Sequence, residues 1–237
     1  MKPLLIMKTG STLESLRARG EDFHDWIIRE LQVAPDQVQV RAVDEGEGLP
    51  APTAISGVVI TGSPAMVTDG APWNDVAAQW LREAIDADLP VLGICYGHQL
   101  LAYACGGKVD YHPAGREIGT VDVRLTQASD TDPLLADLPT EFPAHATHSQ
   151  SVLVLPANSV HLARSAHDQH HAFRVGAAAW GLQFHPEFDA AIMTSYIEER
   201  ASDLRDEGRD VDRLLEQVKE TPEATGLLSR FARLAGL

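Results

Sequence analysis

Apolar residues in the first half of the chain follow two alternating patterns. Short apolar runs of strand length occupy residues 3–7, 57–60 and 89–94, and residues 37–43 alternate polar with apolar side chains. Between these runs, apolar residues recur every three or four positions, which is typical of amphipathic helices. Strands and helices that alternate in this way favour a parallel sheet with helices on its faces.

The pattern changes in the second half of the chain. Six short strands are predicted at residues 118–125, 142–147, 152–155, 160–165, 171–175 and 179–184. We expect them at one side of the sheet, some of them antiparallel, and we expect helix from Phe188 to the end. The predicted fold class is therefore α/β, an open and mostly parallel flavodoxin-like sheet flanked by helices, with a helical C-terminus.

Local signals place several of the helices. Ser11, followed three residues later by Glu14, resembles a capping box. The clearest predicted helix has one apolar face, which we interpret as packing in the core rather than as a ligand-binding surface. The residues of this face are Trp73, Val76, Ala77, Trp80, Leu81, Ala84 and Ile85. Residues 198–223 are dense in charge and predict a solvated helical surface. We expect one domain over 1–190, with 191–237 as its helical extension.

Composition and charge narrow the class of protein. The 237 residues suit one large α/β domain or two small ones, and they include 19 Lys and Arg against 34 Asp and Glu, a net charge of −15. Such an acidic surface repels phosphate backbones and anionic membranes, so we expect neither nucleic acid nor a membrane as partner. No apolar stretch approaches the roughly 20 residues of a membrane helix, and residues 3–7 are interpreted as a strand, not a signal peptide.

The two cysteines, Cys95 and Cys105, indicate a reducing compartment. On one helix they would stand about 15 Å apart, whereas a disulfide needs Cα atoms within about 7 Å. We therefore expect two separate thiols and a cytoplasmic protein.

Cys95 lies in a segment with the form Gly-x-nucleophile-x-Gly between a predicted strand and a predicted helix. On the sharp turn that this form predicts, side chains two residues before and after the nucleophile would collide, and Gly93 and Gly97 remove the collision. The start of a helix favours a thiolate there. A lone cysteine is usually a small buried hydrophobe; we keep that interpretation for Cys105, which lacks these features.

A second segment brings a base and a carboxylate close together. A predicted strand ends at His185, Pro186 favours an extended backbone at that residue, and Glu187 follows within hydrogen-bonding reach of the imidazole. A nucleophile, a base and an orienting carboxylate form a catalytic triad. Taken alone, this segment could be an ordinary His-Pro turn with a surface Glu; beside the nucleophile turn, we interpret it as catalytic.

With these motifs the sequence resembles the class I, or triad, glutamine amidotransferases. The resemblance covers about residues 1–190 and is nearest to the amidotransferase domain of GMP synthetase and its free-standing relatives. Four stretches carry it, namely ITGSP at 60–64, VLGICYGHQLL at 91–101, GREIG at 115–119 and GLQFHPE at 181–187.

The resemblance implies roles for individual residues. Cys95 would attack the γ-amide carbonyl, His185 would carry the proton to the departing ammonia and then activate water against the thioester, and Glu187 would orient His185. The backbone N–H groups of Ser63 and Tyr96 would form the oxyanion hole. No cofactor and no metal are implied.

The resemblance also implies a substrate-binding wall. Gln99 lies four residues after the nucleophile and would share its helix face. The family uses that position to contact the substrate, and residues 147–150 correspond to a loop that holds the backbone end of glutamine. The substrate-binding residues implied are Gly62, Gln99, Thr147, Ser149 and Gln150.

The sequence departs from the family at three places. Ser63 stands where the family usually has Gly, which leaves a backbone donor in place. His148-Ser149-Gln150 replaces the usual His-Gly-Asp, which bears on how the amino end of the substrate is bound. No phosphate loop or synthetase domain follows the triad, so any acceptor chemistry is expected to belong to another chain.

Ten histidines raise the alternative of a metal site. His167, His170 and His171 are close in sequence, but the following residues alternate like a strand, so His170 and His171 would face opposite sides. A solvated hairpin is the preferred interpretation. His98 follows the nucleophile by three residues, and we expect its helix to lead away from the site.

Three function classes remain open. The first is a stand-alone amidase for glutamine or γ-glutamyl compounds, and the second is the ammonia-supplying subunit of a separate synthetase chain. The third is a non-glutaminase cysteine hydrolase or chaperone-like protein of the wider fold. In that third class a His directly follows the nucleophile, whereas this chain has Tyr96. The sequence does not specify an oligomeric state.

Overall fold

A nine-stranded mixed sheet forms the centre of the molecule in a computed structural model, which describes residues 2–237. Its strands are β1 Leu4–Lys8, β2 Val38–Ala42, β3 Gly57–Ile60, β4 Val91–Ile94, β6 Glu117–Leu125, β7 Glu141–His148, β9 Val160–Arg164, β10 Ala172–Val175 and β11 Ala179–Leu182, in the order β2-β1-β3-β4-β11-β10-β9-β6-β7. A separate antiparallel pair consists of β5 Lys108–Tyr111 and β8 Gln150–Val154.

The two halves of the large sheet differ in direction. The strands from β2 to β11 run parallel, while those from β11 to β7 pair antiparallel. The helices are α1 Glu14–Arg17, α2 Phe23–Leu31, α3 Pro72–Asp86, α4 Tyr96–Ala104, α5 Ala190–Glu199, α6 Ala201–Asp206, α7 Val211–Glu216 and α8 Pro222–Leu234. The predicted α/β sheet with antiparallel strands at one side and a helical C-terminus is therefore confirmed.

Strand periodicity divides the core between the two faces of the sheet. In β1, Leu4 and Ile6 belong to the cluster that contains α2 and α8, whereas Leu5 and Met7 belong to the cluster that contains α3 and α4. This follows from the alternation of side chains along a strand, which sends neighbouring residues to opposite faces. Because both faces are covered by helices, the inner parallel strands β3 and β4 are apolar throughout.

The predicted capping box at Ser11 is wrong. Helix α1 begins at Glu14 after Leu13, without a side-chain cap. A capping box instead begins α2, where Asp22 accepts from the backbone N–H of Phe23 and donates its own N–H to Asp25. Asp22 also accepts from the N–H of Thr12 at 2.9 Å and lies 3.1 Å from the Lys8 ammonium. These contacts hold the chain before α1 extended, so no helix starts there.

The apolar face predicted for α3 is right except at its beginning. Val76 is 67% exposed, and the buried residue of that turn is Asn74. Its amide oxygen accepts from the Tyr96 hydroxyl, and its amide nitrogen donates to the Val67 carbonyl at 3.3 Å. A buried polar side chain is stable when it is hydrogen-bonded, and the apolar pattern gave no sign of these partners.

The charged segment 198–223 is less solvated than predicted. Leu204 of α6 is fully buried and Val211 of α7 nearly so, and both pack in one cluster with α5. Helix α8 continues into the main core, where Leu227, Leu228 and Phe231 are completely buried. In the described part of the chain, no helix combines the length and apolarity needed to cross a membrane.

Candidate active site

Cys95 lies on a strained turn between β4 and α4. Its backbone has φ of 50° and ψ of −98°, a region that L residues rarely adopt and that is found at functional turns. A Cβ on Gly93 would collide with the Gly97 carbonyl oxygen, and one on Gly97 would lie 2.6 Å from the Ile60 carbonyl oxygen. Only glycines fit, so the steric reason given for the sequence pattern holds in three dimensions.

His185 and Glu187 form a buried hydrogen-bonded pair beyond the end of β11. His185 Nδ1 lies 2.8 Å from Glu187 Oε1, and the two side chains are 2% and 0% exposed. The backbone N–H of His185 donates to the His145 carbonyl, which extends the sheet and fixes the approach of the ring. Because Nδ1 donates to the carboxylate, Nε2 is the nitrogen left for chemistry with the neighbouring Cys95.

The surroundings of His185 favour its charged form. Burial by itself lowers the pKa of an imidazole, but the Glu187 carboxylate and the neighbouring Cys95 outweigh burial and raise the pKa of His185 to about 10. Cys95 itself is 6% exposed, and its Sγ lies 3.7 Å from the carbonyl oxygen of Thr147. A thiolate beside an imidazolium is an activated nucleophile next to its proton donor.

Aromatic rings hold the imidazole of His185 in place, and no sequence motif indicated them. Phe188 stacks on His185 with 4.1 Å between ring centroids, and Phe23 stacks at 6.1 Å. Tyr196 packs on Phe188 in turn and shares a 2.6 Å hydrogen bond with the Thr12 hydroxyl. The positions of these rings in the sequence carried no catalytic signal, because apolar rings are typical of a core.

The loop after β3 approaches His185 closely. A Cβ on Gly62 would lie 2.9 Å from Cε1 of His185, so the loop can pass beside the ring only with glycine there. Thr9 and Thr61 bind the loop through a buried pair of hydroxyls at 3.1 Å. The Ser63 hydroxyl donates to the Thr9 carbonyl at 2.7 Å, so the side chain that replaces the family's usual glycine anchors the loop.

The proposed substrate wall is a buried hydrogen-bond network. The Gln99 amide nitrogen donates to the Gln150 carbonyl at 2.8 Å and to Gln183 Oε1 at 3.0 Å. The Gln150 side-chain amide donates to the Thr68 hydroxyl, and its Oε1 is buried without a partner among the described residues. Gln183 of the GLQFHPE stretch is a member of this network that was not among the predicted site residues.

Two cavities meet at the thiol. The Phe23 cavity, of about 240 Å³, is lined by Ser11, Thr12, Leu13, Glu14, Phe23, Ser63, Pro64, Cys95, Thr147, His185, Tyr196, Glu199 and Arg200. The Gln150 cavity, of about 180 Å³, is lined by Ser63, Pro64, Ala65, Met66, Cys95, Tyr96, Gln99, Arg116, Thr147, His148, Ser149, Gln150 and Arg200. The structure therefore brings the predicted site residues together around one opening, with Glu187 behind His185.

A buried cluster of Glu117, His148 and His171 lies behind the wall. Oε2 of Glu117 is 2.8 Å from His148 Nε2 and 2.7 Å from His171 Nε2, and its Oε1 accepts from the Ser165 hydroxyl. The solvated hairpin predicted for the His167–His171 segment is thus wrong for His171, which is completely buried. The cluster could not be found from the sequence, because its members come from β6, from β7 and from the residue before β10.

The hydrogen-bond partners of His148 give it a positive charge. Its Nε2 faces the Glu117 carboxylate, and its Nδ1 lies 2.9 Å from the Gln150 carbonyl oxygen, with the Ser151 hydroxyl farther away at 3.4 Å. Both nearest atoms are acceptors, so both ring nitrogens carry hydrogen. Burial opposes this charge, but Glu117 outweighs it and raises the pKa of His148; the same hydrogen bonds overcome burial and lower the pKa of Glu117.

The cluster is the one group of described residues whose ligand atoms could surround a metal, lying within 4.8 Å of one another. Zinc at about 2.0 Å from tetrahedral ligands would hold them about 3.3 Å apart. The observed separations of 2.7 and 2.8 Å are those of hydrogen bonds. We therefore interpret the cluster as a charged hydrogen-bond network.

Neither His98 nor Cys105 lines the two cavities that meet at the Cys95 thiol. His98 is completely buried against Phe173, and burial lowers its pKa to about 3, so it stays neutral. Cys105 is half-buried at the end of α4, where desolvation raises its pKa to about 11. A thiol with such a pKa is protonated at neutral pH, which separates it from the activated kind of cysteine.

Comparison with known proteins gives one consistent family. The sequence model described as "Glutamine amidotransferase class-I" matches residues 19–202. A glutamine-hydrolyzing GMP synthase from Aeropyrum pernix is 37% identical over 161 residues, which are 68% of this chain and 29% of that protein. The chain thus spans under a third of that relative. A protein from Methanosarcina barkeri, named as one subunit of a glutamine-hydrolyzing GMP synthase, is 30% identical over 63% of this chain and 80% of its own length.

Solved structures extend the likeness to nearly the whole chain. A glutamine amidotransferase from Thermotoga maritima superposes with a TM-score of 0.77 at 25% identity, covering 99% of this chain and 98% of that one. A glutamine amido transferase from Methylobacillus flagellatus gives a TM-score of 0.69 at 27% identity, covering 98% and 91%.

Proposed function

The chain belongs to the class I glutamine amidotransferase family, and from that premise we propose that it hydrolyses the γ-amide of glutamine or of a γ-glutamyl compound through a thioester on Cys95. The observation that carries the proposal is the strained turn at Cys95 beside the His185–Glu187 pair. A cysteine held at φ of 50° by two obligatory glycines has no packing explanation, because an ordinary core thiol needs no strain.

In the proposed first half-reaction, the Cys95 thiolate attacks the amide carbon and forms a C–S bond. The electron pair of the carbonyl moves to its oxygen, where the backbone N–H groups of Ser63 and Tyr96 stabilise the oxyanion. Losing one such donor typically costs about 100- to 1000-fold in rate. His185 Nε2–H gives its proton to the amide nitrogen, the C–N bond breaks, and ammonia or an amine leaves.

In the second half-reaction the neutral His185 takes a proton from water, whose oxygen attacks the thioester carbon. The C–S bond then breaks and the sulfur leaves as thiolate, with the proton retained on His185, so that the starting charge state returns. Glu187 holds one tautomer of His185 through both steps and stabilises the imidazolium. We assign the leaving group to the Phe23 cavity and the acyl group to the Gln150 cavity, because Cys95 lines both.

The test combines a substrate screen with labelling. We expect the purified chain to release ammonia or amine, and glutamate, from glutamine or γ-glutamyl amides, and an electrophilic glutamine analogue to add one adduct by mass spectrometry. Cys95→Ala should abolish both, whereas the control Cys105→Ala should retain both. An adduct on Cys105, or labelling that survives Cys95→Ala, would contradict the assignment.

A second candidate function is supply of ammonia to a synthetase on another chain. It is favoured by the Methanosarcina barkeri relative, which is named as a separate subunit and is matched over 80% of its length. In that case glutamine hydrolysis by the purified chain should rise at least tenfold when the matching synthetase and its nucleotide substrates are added. An unchanged rate of glutamine hydrolysis would favour the stand-alone amidase over the synthetase subunit.

A further inference from the structure

The Gln150 cavity is lined by three cationic side chains and by no carboxylate within the part of the chain that the structure describes. The cations are Arg116, His148 and Arg200. Glu207 lies 3.2 Å from Arg116, and Glu117 hydrogen-bonds His148, but neither acid lines the cavity. Arg116 and His148 are thus each paired with an acid that lies outside the lining, and two further acids, Glu14 and Glu199, line the adjoining Phe23 cavity.

Arg200 differs from the other two cations of the lining in its surroundings. It forms no ion pair within 4 Å among the described residues, and its guanidinium instead lies over the Tyr196 ring, 5.7 Å from the centroid. It lines both the Phe23 cavity and the Gln150 cavity, so it stands at the opening above Cys95. An unpaired guanidinium in such a place is suited to bind a carboxylate.

Gln150 offers a neutral acceptor beside these cations. It is 1% exposed, its amide nitrogen donates to Thr68, and its Oε1 is buried without a partner among the described residues. A buried acceptor is satisfied by a single N–H. It does not compensate the desolvation of an ammonium group, which needs an opposite charge.

Resting on the proposed function, we infer that the Gln150 cavity selects an acyl group with a free α-carboxylate and an uncharged, acylated α-nitrogen. Arg200, the cation of the lining without an ion pair among the described residues, attracts the carboxylate and repels an ammonium, while Gln150 Oε1 accepts the one N–H of an α-amide. The substrate class is therefore an N-acylated glutamine or N-acylated γ-glutamyl amide, which is anionic, rather than zwitterionic glutamine.

The fold also leaves room for the acyl substituent. A further cavity of about 460 Å³, the Tyr111 cavity, shares Arg116 and Ser149 with the Gln150 cavity; it is lined by Tyr111, His112, Ala114, Gly115, Arg116, Ser149, Glu207 and Arg209. A group attached to the α-nitrogen near Gln150 can extend past Ser149 into this space. Free glutamine has nothing to place there.

The experiment compares three amides on the full chain, with ammonia release as the readout of kcat/KM. The substrates are L-glutamine, N-acetyl-L-glutamine and the α-amide of N-acetyl-L-glutamine, which lacks the carboxylate. We expect N-acetyl-L-glutamine to exceed L-glutamine by about tenfold or more, and removal of its carboxylate to cost tenfold or more. A preference below threefold, or full activity without the carboxylate, overturns the inference.

Substitution of Gln150 gives an independent test. We expect Gln150→Asp to reverse the preference in favour of L-glutamine, because its carboxylate pairs with the ammonium, and the neutral control Gln150→Asn to keep the wild-type preference. An unchanged ratio in a folded Gln150→Asp protein counts against the inference. If Gln150→Asp does not fold, the wild-type comparison still decides.

The proposed function and the substrate inference fail differently. Hydrolysis of L-glutamine in preference to the N-acetyl amide, with Cys95 labelled, overturns only the substrate inference. Release of ammonia from none of the three amides, with Cys95 unlabelled, overturns the proposed function and the substrate inference with it.

Discussion

At the scale of single residues, the site depends on how buried charges are paired. His185 and His148 are both buried imidazoles that stay charged because a carboxylate is in direct contact with each. Buried His98, without such a contact, is neutral. Burial lowers the pKa of an imidazole, so an adjacent carboxylate decides the charge of each ring.

The first residue-scale prediction concerns Glu187. We expect Glu187→Gln to lower kcat strongly, by up to about 10⁴-fold as for comparable triads, because the wrong tautomer of His185 becomes accessible and the imidazolium loses its counter-charge. The control Glu198→Gln changes an exposed acid on α5 and should leave kcat unaltered. Steady-state kinetics on the amide identified by the screen provides the measurement, and full activity in Glu187→Gln would mean that another group orients His185.

The same substitution has a pH-dependent effect on stability. The pKa of His185 is raised in the folded protein to about 10 from 6.5, so its pairing with Glu187 stabilises the fold fully below pH 6.5 and the contribution is lost as pH rises through 10. The difference in free energy of unfolding between wild type and Glu187→Gln should therefore be larger at about pH 6 than at about pH 10. Denaturant unfolding at both values measures it, and a difference that grows with pH would reverse the assigned charge.

At the scale of elements, the junction of β4 and α4 positions Cys95, the proposed nucleophile. The strand ends at Ile94, the helix begins at Tyr96, and Cys95 alone makes the turn. Gly97 passes against the backbone of Ile60 at the end of β3, so the turn is fixed by the neighbouring strand as well as by its own sequence. Local strain and tertiary contact therefore act on the same residue.

The element-scale prediction compares two glycines on helices. Gly97→Ala would place a Cβ 2.6 Å from the Ile60 carbonyl oxygen, so we expect a loss of about 1–3 kcal/mol in stability and loss of Cys95 labelling. Gly226→Ala, in α8 with nothing within 4 Å of the new atom, should gain about 1 kcal/mol from helix propensity. Denaturant unfolding of both variants measures the effects. An unchanged stability of Gly97→Ala would show that the turn accommodates the added methyl group.

At the scale of the whole molecule, the C-terminal helices complete the core and the site. Helix α8 packs in one cluster with β1, β4 and β11 on the face shared with α2. Helix α5 brings Tyr196 to the Phe23 cavity, and Arg200, which directly follows α5, lines both cavities. Residues outside the stretches that carry the family motifs therefore shape the opening above Cys95.

The whole-molecule prediction is that residues 1–190 and 191–237 unfold together. Phe231 of α8 is completely buried and packs edge-on to Trp180 at 6.4 Å between centroids. We expect Phe231→Ala to lower the free energy of unfolding by about 3–5 kcal/mol. Unfolding should remain a single transition when it is followed by calorimetry and by fluorescence. Leu234→Ala, at a residue of the same helix that is 38% exposed, should cost much less. Two separate transitions would make the C-terminal helices an independent unit.

The amino-acid sequence by itself determined the order of strands and helices, the nucleophile turn and the His-Pro-Glu segment. Each is a local pattern: the periods of strand and helix, and the collision that Gly93 and Gly97 avoid, depend on residues near one another in the chain. Strand β5 was missed, because its only partner is the distant β8. The roles of the individual site residues stay predictions until the substitutions are made.

Only the tertiary structure decided the partners of buried polar groups. Glu117, His148 and His171 meet because β6, β7 and the residue before β10 come together in the fold, and Asn74 is buried because the Tyr96 hydroxyl reaches it. The cationic lining of the Gln150 cavity likewise joins Arg116 with Arg200 across the fold. A charged or polar side chain is stable inside a protein only beside its complement, and which complement it meets depends on how strands far apart in sequence are packed.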